Sequence, residues 1–415
     1  KDLNMPDIST LNGVDVGDVA SMNGSDSGDC ASVNGQVWPN LAGTLWSWGV
    51  GGSGNLGQST AAGPGGHGGG GDHSVSVPIQ VGTDTDWSKI STNTPGTSTI
   101  AIKTDGTIWS WGVGANGVHG HGDIINRSSP VQLGTSTNWT AAGGGTHANA
   151  IIGGGKLYVM GDNQAGALGQ GTAHSGGSVS SPIQVGTDTN WSKVSGGVRS
   201  FVALKTDGTL WGWGGNQFGN IGNNTFHNSS FSVPVQVGTA TNWTQIAANN
   251  HLTGAINADG ELYMWGKGGY GATGQGDKIN RSVPTQVGTD TDWAELSIGY
   301  GNALAVKDNG SLYVWGLGRE GQLGNNTTGN TAHVSAPIQV GTDTDFVHVS
   351  MGHATAKAIK TDGTIFNWGF NTEGQLGRGD VVNRSTPTQM GTDENWGSVG
   401  AGFSSGNYSH FQVKV

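Results

Sequence analysis

Short runs in which apolar and polar residues alternate recur along this chain, separated by glycine-rich turns. One such run, Thr99-Ile100-Ala101-Ile102-Lys103, is followed by Asp105-Gly106 and then by a second apolar run at 108–112. Alternation with a period of two predicts a strand, and Asp-Gly between two such runs predicts a tight hairpin because both residues tolerate positive φ. Equivalent turns occur at Asp207-Gly208, Asp259-Gly260, Asn309-Gly310 and Asp362-Gly363.

The apolar phrase that follows each hairpin, Leu-Trp-Ser-Trp-Gly or a close variant, occurs seven times. The copies lie at 45–49, 108–112, 157–161, 210–214, 262–266, 312–316 and 365–369. Their closing glycines are 63, 49, 53, 52, 50 and 53 residues apart, which indicates an array of one structural unit.

A second anchor in each unit is a proline, followed by a turn and an aromatic residue. The prolines are Pro78, Pro130, Pro182, Pro234, Pro284, Pro337 and Pro387, and the aromatic residues are Trp87, Trp139, Trp191, Trp243, Trp293, Phe346 and Trp396. Each unit therefore has about four short strands and no helical period. The pattern predicts an all-β fold, a seven-bladed β-propeller over residues 41–415.

The two ends of the repeat region complement each other. The chain enters the array with the final strand of a unit, 45–48, and leaves it with the preceding strand, 411–415. If these two strands pair, one blade is completed from both ends and no strand edge stays open. We therefore expect the N- and C-terminal strands to close the ring.

Composition and charge narrow the function classes. The 18 basic residues are outnumbered by 29 acidic ones, and no Lys/Arg cluster is present, which argues against nucleic acid as a main partner. Cys30 is the single cysteine, so neither an intrachain disulfide nor a cysteine zinc pair can form. No stretch approaches the roughly 18 consecutive apolar residues of a membrane span, so we expect no membrane insertion.

Four units match the G-x-G-x-x-G pattern of dinucleotide-binding loops, beginning at Gly49, Gly112, Gly266 and Gly316. That pattern binds a pyrophosphate when a helix follows, whereas here a polar loop follows. The other units carry Asn163, Asn216 or Asn371 at the second glycine position. Since Asn is the residue that best replaces Gly at positive φ, we expect a left-handed backbone there rather than a nucleotide site.

The phrase Asn-Arg-Ser-x-Pro-x-Gln-x-Gly at 126–134, 280–288 and 383–391, together with Trp-Gly-x-Gly/Asn-x-x-Gly, resembles the repeat of the regulator-of-chromosome-condensation family. The resemblance covers all seven units and implies a seven-bladed propeller closed by both termini. Its members include a guanine-nucleotide exchange factor, a plant ultraviolet receptor, ubiquitin-ligase modules and secreted β-lactamase inhibitors, so the fold does not select a function. The exchange factor's basic surface and wedge, and the photoreceptor's Gly-Trp-Arg-His-Thr motif, are absent here.

Large, variable residues occupy one turn in each unit, just before the Ala-Ile-Lys-like strand. They are His147, Arg199, His251, Tyr300, His353 and Phe403. Because they recur with the period of the repeat, we expect them near one ring on one face, where propellers bind partners through loops. The alternative is that they are ordinary exposed loop residues.

Candidate metal ligands lie in two places. The insertion in the first unit holds His67, Asp72 and His73, and His119 and His121 lie in the second unit. Flexible glycine tracts make poor preorganised sites, so we interpret the insertion as a flexible loop.

The repeated Thr-Asp-Thr-Asp-Trp segment, with Asp84 and Asp86 or Asp290 and Asp292, suggests calcium. Other units carry Asn138, Asn190 and Asn242 instead, and we interpret the segment as a capped turn. No catalytic constellation stands out. We expect no catalytic residue, no metal and no cofactor.

Residues 1–40 form a different, 11-residue repeat, Asp7-Ile8 to Asn12-Gly13 and its two successors, here called the arm. Over this short stretch the arm resembles Asn-Gly repeats of bacteriophage virion and bacterial appendage proteins. Such short units bury too little to fold alone, so we expect an anchoring contact with another subunit. Its apolar residues are Ile8, Leu11, Val19, Met22 and Val33. The alternative is a disordered leader.

The sequence leaves more than one function open. Our first expectation is a non-enzymatic structural or adhesion protein on a virion, injection-type particle or cell surface, bound to other subunits or to a surface receptor or glycan. This places the protein outside the cell or on a particle surface. The alternative is a regulatory or inhibitory protein-binding propeller, either an intracellular scaffold or a secreted inhibitor. An enzyme or exchange factor comes third, because it lacks a constellation of residues.

Overall fold

The computed structural model describes residues 42–59, 74–92, 97–171, 177–226, 230–397 and 409–415 and, for the backbone alone, 10–11, 14–15, 31–33, 36–38, 53 and 403–405. Within these residues the structure is almost entirely β, with single 3-10 turns at Gly52–Gly54, Ala115–Gly117, Gln164–Gly166 and Gly269–Gly271. No helix in the described ranges is long and apolar enough to cross a membrane.

The strands are numbered in chain order. They are β1 Thr10–Leu11, β2 Val14–Asp15, β3 Ala31–Val33, β4 Gln36–Trp38, β5 Thr44–Gly49, β6 Val75–Gln80, β7 Trp87–Thr92, β8 Ser98–Lys103, β9 Ile108–Gly112, β10 Arg127–Gln132, β11 Trp139–Gly144, β12 Ala148–Gly153, β13 Lys156–Asp162, β14 Ser178–Gln184, β15 Trp191–Gly196, β16 Ser200–Lys205, β17 Leu210–Gly215, β18 Ser230–Gln236, β19 Trp243–Asn249, β20 Leu252–Asn257, β21 Leu262–Gly266, β22 Arg281–Gln286, β23 Trp293–Ile298, β24 Asn302–Lys307, β25 Leu312–Leu317, β26 His333–Gln339, β27 Phe346–Met351, β28 Thr355–Lys360, β29 Ile365–Gly369, β30 Arg384–Gln389, β31 Phe403–Ser405 and β32 Ser409–Lys414.

Strands β5 to β32 form seven four-stranded antiparallel sheets in the described part of the chain. Blade 1 has the order β31-β32-β5-β6, and blades 2 to 7 use β7–β10, β11–β14, β15–β18, β19–β22, β23–β26 and β27–β30. The first strand of each blade packs against the first strands of its neighbours, so these strands form the inner ring and the fourth strands lie outside. The predicted seven-bladed propeller is confirmed.

Blade 1 closes the ring. Its strand β32 lies between β31 and β5, with Ser409 opposite Gly49 and Lys414 opposite Thr44. The indole Nε1 of Trp48 donates to the carbonyl oxygen of Gln375 in blade 7 at 2.9 Å, which ties blade 1 to its neighbour. The predicted pairing of the N- and C-terminal strands is therefore confirmed.

The repeated tryptophan links neighbouring blades. Six copies are fully buried, namely Trp48, Trp111, Trp213, Trp265, Trp315 and Trp368. Each buries a large apolar surface and donates its Nε1–H to a carbonyl in the loop of the preceding blade, as Trp111 does to Asn55 at 3.0 Å. Met160 takes this place in blade 3.

The repeated proline lies in the outer strand of each blade, for example Pro130 in β10 and Pro234 in β18. Outer strands expose a row of backbone groups that other chains can pair with. Proline offers no N–H to such a pairing, and the register shift between the third and fourth strands bends the edge further. The second anchor of the repeat thus protects the sheet edges.

The arm contains two backbone hairpins, β1–β2 and β3–β4. Ile8, Val19 and Met22 lie outside the described residues, as do the side chains of Leu11 and Val33. The anchoring role of the arm and the domain boundary at residue 40 therefore stay predictions. His67, Asp72 and His73 of the insertion also lie outside the described residues.

Candidate binding face of the propeller

Successive strands of a blade run in opposite directions, so alternate connections lie on two opposite faces of the propeller. Turns between first and second strands and loops between third and fourth strands lie on one face, here called the rim face. The Asp-Gly hairpins and the connections between blades lie on the other, here called the hairpin face.

On the hairpin face, the repeated aspartates in the connections between blades pair with a lysine of the blade that follows. The Nζ of Lys103 lies 2.7 Å from Asp84 and 3.0 Å from Asp86, and 4.9 Å from the ring centroid of Trp87. Burial disfavours the charged lysine, but its hydrogen bonds to the two carboxylates outweigh burial and raise its pKa. Lys307 and Lys360 are likewise bound by two carboxylates each, and Lys205 and Lys414 by one, and all four also lie over an aromatic ring. A lysine thus takes the position that a calcium ion would need.

On the rim face, the first glycine of the pattern that resembles a nucleotide-binding motif allows a neighbouring backbone segment to approach closely. Gly112 has a φ of 99°, and a Cβ there would lie 2.2 Å from the carbonyl oxygen of Thr97. The second glycine position is different. Gly114 has a φ of −90° and Asn163 a φ of −92°, so the left-handed backbone predicted there is wrong.

At the second glycine position, the choice between Gly and Asn depends on what the residue contacts. A Cβ on Gly114 would lie 2.2 Å from the carbonyl oxygen of Ile125, so a side chain is excluded. Asn163 instead accepts a hydrogen bond from the backbone N–H of Leu168 through its Oδ1, at 3.1 Å. A single 3-10 turn follows each of these two positions rather than a helix able to hold a phosphate.

His119 and His121, the candidate metal pair, have rings 6.5 Å apart. The ring of His119 is fully buried at a position that other units fill with Leu56, Leu168 or Leu323. Burial, followed by the nearby charges of Arg127 and His121, lowers its pKa to about 4. The described residues contain no group of three or more His, Cys, Asp or Glu side chains placed to hold a metal.

Five of the six predicted rim residues lie in turns on the rim face. His147 lies between β11 and β12, Arg199 between β15 and β16, His251 between β19 and β20, Tyr300 between β23 and β24, and His353 between β27 and β28. Phe403 differs, because it begins β31, where its backbone pairs with Gln412, rather than lying in a turn. Its side chain lies outside the described residues.

Backbone hydrogen bonds join these turns across blades. The N–H of Thr146 donates to Gly197 at 3.2 Å, and the N–H of Val198 donates to Asn250 at 2.7 Å. Farther along, the rings of Tyr300 and His353 are 4.5 Å apart. Residues that lie about 50 positions apart in the sequence are thereby neighbours in one arc.

The loops between third and fourth strands add side chains that the sequence analysis missed. The ring of Phe218 lies 4.8 Å from that of His251, and the Nζ of Lys267 lies 5.1 Å from the Phe218 ring centroid. The ring centroids of Tyr270 and His333 lie 4.9 Å apart. A signal was present, since the residue before the loop glycine breaks the repeat, reading Ser53, Asn116, Ala165, Phe218, Tyr270, Glu320 and Glu373.

The electrostatics of the rim face differ along the arc. Burial, then the charges of Lys267 and Arg199, lower the pKa of His251 to about 4. Burial, then Arg199, also lowers the pKa of His147. Burial lowers the pKa of His353, with Glu320 acting in the opposite sense. The lowered pKa values favour the neutral form of these histidines at pH 7, and the positive charge acting on His251 comes from Lys267 and Arg199.

Solved structures of known proteins share this fold. Human WBSCR16 superposes with a TM-score of 0.75 at 20% identity, covering 90% of this chain and 99% of that one. Yeast RCC1 (Prp20), in its complex with Kap60, superposes with a TM-score of 0.74 at 16% identity, covering 95% of each chain.

Sequence relatives include the ultraviolet-B receptor UVR8 of Arabidopsis thaliana, 29% identical over 70% of this chain and 67% of the receptor. The mitochondrial RCC1 domain-containing protein RUG3 of Arabidopsis is 30% identical over 45% of this chain and 44% of its own length. The human E3 ubiquitin-protein ligase HERC2 is 26% identical over 70% of this chain. The match spans only 5% of HERC2, so the ligase activity does not transfer.

These relatives bear on two expectations. The expected extracellular or particle-surface location is wrong, because the relatives point away from it, RUG3 being mitochondrial by name. None of the relatives named above is a virion, phage or adhesion protein, and they favour the alternative, a regulatory or protein-binding propeller.

The family assignment follows from the extent of the match. The profile of the RCC1-like domain covers residues 44–406, which include all or part of every blade. The sequence resemblance, the sheet order and the closure by both terminal strands agree with this match. The chain therefore belongs to the RCC1-like domain family of β-propellers.

Proposed function

We propose that this chain is a regulatory binding module that recognises a protein partner through the rim face of its propeller. The observation that carries the proposal is the arc formed by His147, Arg199, His251, Tyr300 and His353. These residues break the repeat, yet backbone bonds and ring contacts bring them together across blades 3 to 7.

The rim face carries exposed aromatic residues, whereas several lysines of the hairpin face are already bound. On the hairpin face, Lys103 and Lys307 are bound by aspartates of the connection that leads into their blade. On the rim face, Tyr270 and Tyr300 are 41% and 36% exposed. Exposed aromatic residues are enriched in protein interfaces, which supports the rim face as the binding surface.

A photo-crosslinking experiment tests this assignment. A benzoylphenylalanine probe replaces Tyr300 on the rim face or, as the matched control, the exposed Thr206 on the hairpin face. In cells, we expect the probe at position 300 to give a discrete protein adduct and the probe at position 206 to give none. Equal adducts from both positions, or adducts confined to position 206, contradict the proposal.

A further inference from the structure

Most cations of this acidic chain already have partners. Carboxylates bind Lys103, Arg127, Lys205, Arg281, Lys307, Arg319, Lys360, Arg384 and Lys414. Backbone carbonyls accept from Lys89, Lys193, Lys357 and Arg378. Four cations in the described ranges, Lys156, Arg199, Lys267 and Lys278, have no side-chain hydrogen bond to a carboxylate or carbonyl. Arg199 and Lys267 stand out among these four because the charges of both act on the same residue, His251.

The fold places these two cations beside each other on the rim face. Arg199 lies in the first turn of blade 4, at a φ of 57°, and Lys267 follows β21 of blade 5. The backbone N–H of Val198 donates to Asn250, and that of Lys267 donates to His251 at 2.8 Å. The backbone next to His251 is thus hydrogen-bonded to the segments that carry both cations.

An aromatic ring supports one of the two cations and the histidine. The Phe218 ring contacts both His251 and the ammonium group of Lys267. The positive charges of Lys267 and Arg199 both act on His251, in the same sense as its burial, and no carboxylate opposes them. The Nδ1 of His251 is buried and has no hydrogen-bond partner among the described residues. Among the described residues, positive charge therefore acts on His251 without an opposing carboxylate.

We propose that Arg199 and Lys267 form an anion subsite that binds a side-chain carboxylate of an acidic segment in the protein partner. This inference rests on the proposed function and specifies its partner. A guanidinium binds a carboxylate through paired, charge-assisted hydrogen bonds, and the lysine adds a second charge. The exposed rings of Tyr270 and Tyr300 continue from this subsite and offer apolar contact to residues that follow the acid.

The charge of the chain favours a short acidic segment over a nucleic acid. The net charge is −11, and this subsite supplies only two cations. A nucleic acid gains affinity by neutralising many phosphates and would be repelled by the remaining surface. One or two carboxylates need only the local charge.

The test uses the full chain and a fluorescein-labelled peptide, Gly-Glu-Glu-Leu-Phe-Gly, with Gly-Gln-Gln-Leu-Phe-Gly as its uncharged match. Fluorescence anisotropy should show binding of the glutamate peptide, weakened about tenfold or more in the glutamine peptide. The double variant Arg199→Gln/Lys267→Gln should lose the same factor. Lys156→Gln, which removes a cation on the hairpin face, should leave the affinity within about twofold, because screening confines the effect to nearby charges.

Three outcomes overturn the inference: equal affinity for both peptides, an equal loss in the Lys156→Gln variant, or tighter binding of a phosphopeptide or an oligonucleotide of matched charge. The crosslinking experiment tests the proposed function separately from this inference. If position 300 still crosslinks to a protein while the peptides fail, only the carboxylate assignment falls. If position 300 gives no adduct, the rim face itself is the wrong surface.

Discussion

Deletion of residues 409–415 is expected to abolish the cooperative unfolding transition of the propeller. This segment supplies β32, an internal strand that pairs with β31 on one side and β5 on the other. Its Phe411 and Val413 are fully buried, and Phe411 packs against Trp111 with ring centroids 5.7 Å apart. Loss of a buried phenylalanine alone costs about 3–5 kcal/mol, and loss of the strand exceeds the roughly 5–15 kcal/mol of a typical domain.

Circular dichroism and tryptophan fluorescence during heating measure this effect, and a circular permutant is the matched control. Lys414 O accepts a hydrogen bond from Thr44 Oγ1 at 3.2 Å, so the two ends already lie side by side. Joining residue 415 to residue 42 recreates the hairpin length of Thr104-Asp105-Gly106, and new ends can open between Asp207 and Gly208. The permutant should unfold cooperatively. A deletion variant that keeps the parent's transition contradicts ring closure by these strands.

The second large effect concerns Lys357, a lysine in the core between blades 7 and 1. Its side chain is 1% exposed, and its Nζ lies 3.2 Å from the carbonyl oxygen of Phe411 and 5.2 Å from the Trp48 ring centroid. Neighbouring His410 is also fully buried, and burial and then Lys357 hold its pKa well below the usual value. Other units place Ile100, Ala150, Val202, Gly254, Leu304 or Phe411 at the position of Lys357.

Burial lowers the pKa of Lys357 from 10.5 to about 7. The folded state thus binds fewer protons than the unfolded state between these values, so stability falls as the pH drops from 10.5 to 7 and stays low below 7. At about 1.4 kcal/mol per pKa unit, the full cost approaches 5 kcal/mol. Lys357→Met should therefore raise the free energy of unfolding at pH 6 by about 2–5 kcal/mol, with the gain shrinking towards pH 10.5.

Denaturant titrations at pH 6 and pH 9.5 check this expectation. Lys360→Met is the matched control, since Lys360 lies three residues farther along β28 and binds Asp343 and Asp345 on the hairpin face. Its hydrogen bonds to these carboxylates outweigh burial and raise its pKa, so the same substitution there should give no gain. A loss of stability at pH 6 in Lys357→Met would show that its contact with Phe411 outweighs the cost of burying the charge.

The parts of the fold that depend on local sequence could be predicted. Hairpins such as Asp105-Gly106 need only alternation and a turn that tolerates positive φ, and the repeat length then gives the number of blades. Closure of the ring could be predicted because the strands at 45–48 and 411–415 complement each other. The left-handed backbone predicted at the second position of the Gly-x-Gly/Asn pattern was wrong, because close backbone approach selects glycine as strongly as positive φ does.

The binding face could be predicted only in part. The turn residues His147 and His251 recur with the period of the repeat, so it could be predicted that they lie on the same face. Lys267 and Phe218 lie in loops of different blades, and nothing local shows that both meet His251. Likewise, Lys103 and Asp84 are 19 residues apart, and their pairing depends on how successive blades are connected.

An NMR titration of the His251 ring tests most directly whether the residues that break the repeat converge on one face. The structure predicts that His251 titrates near pH 4, because burial, Lys267 and Arg199 all oppose its protonation. The Arg199→Gln/Lys267→Gln double variant should raise that pKa, while Lys156→Gln should leave it unchanged. A His251 pKa at or above 6.5 that does not respond to the double variant would contradict the account.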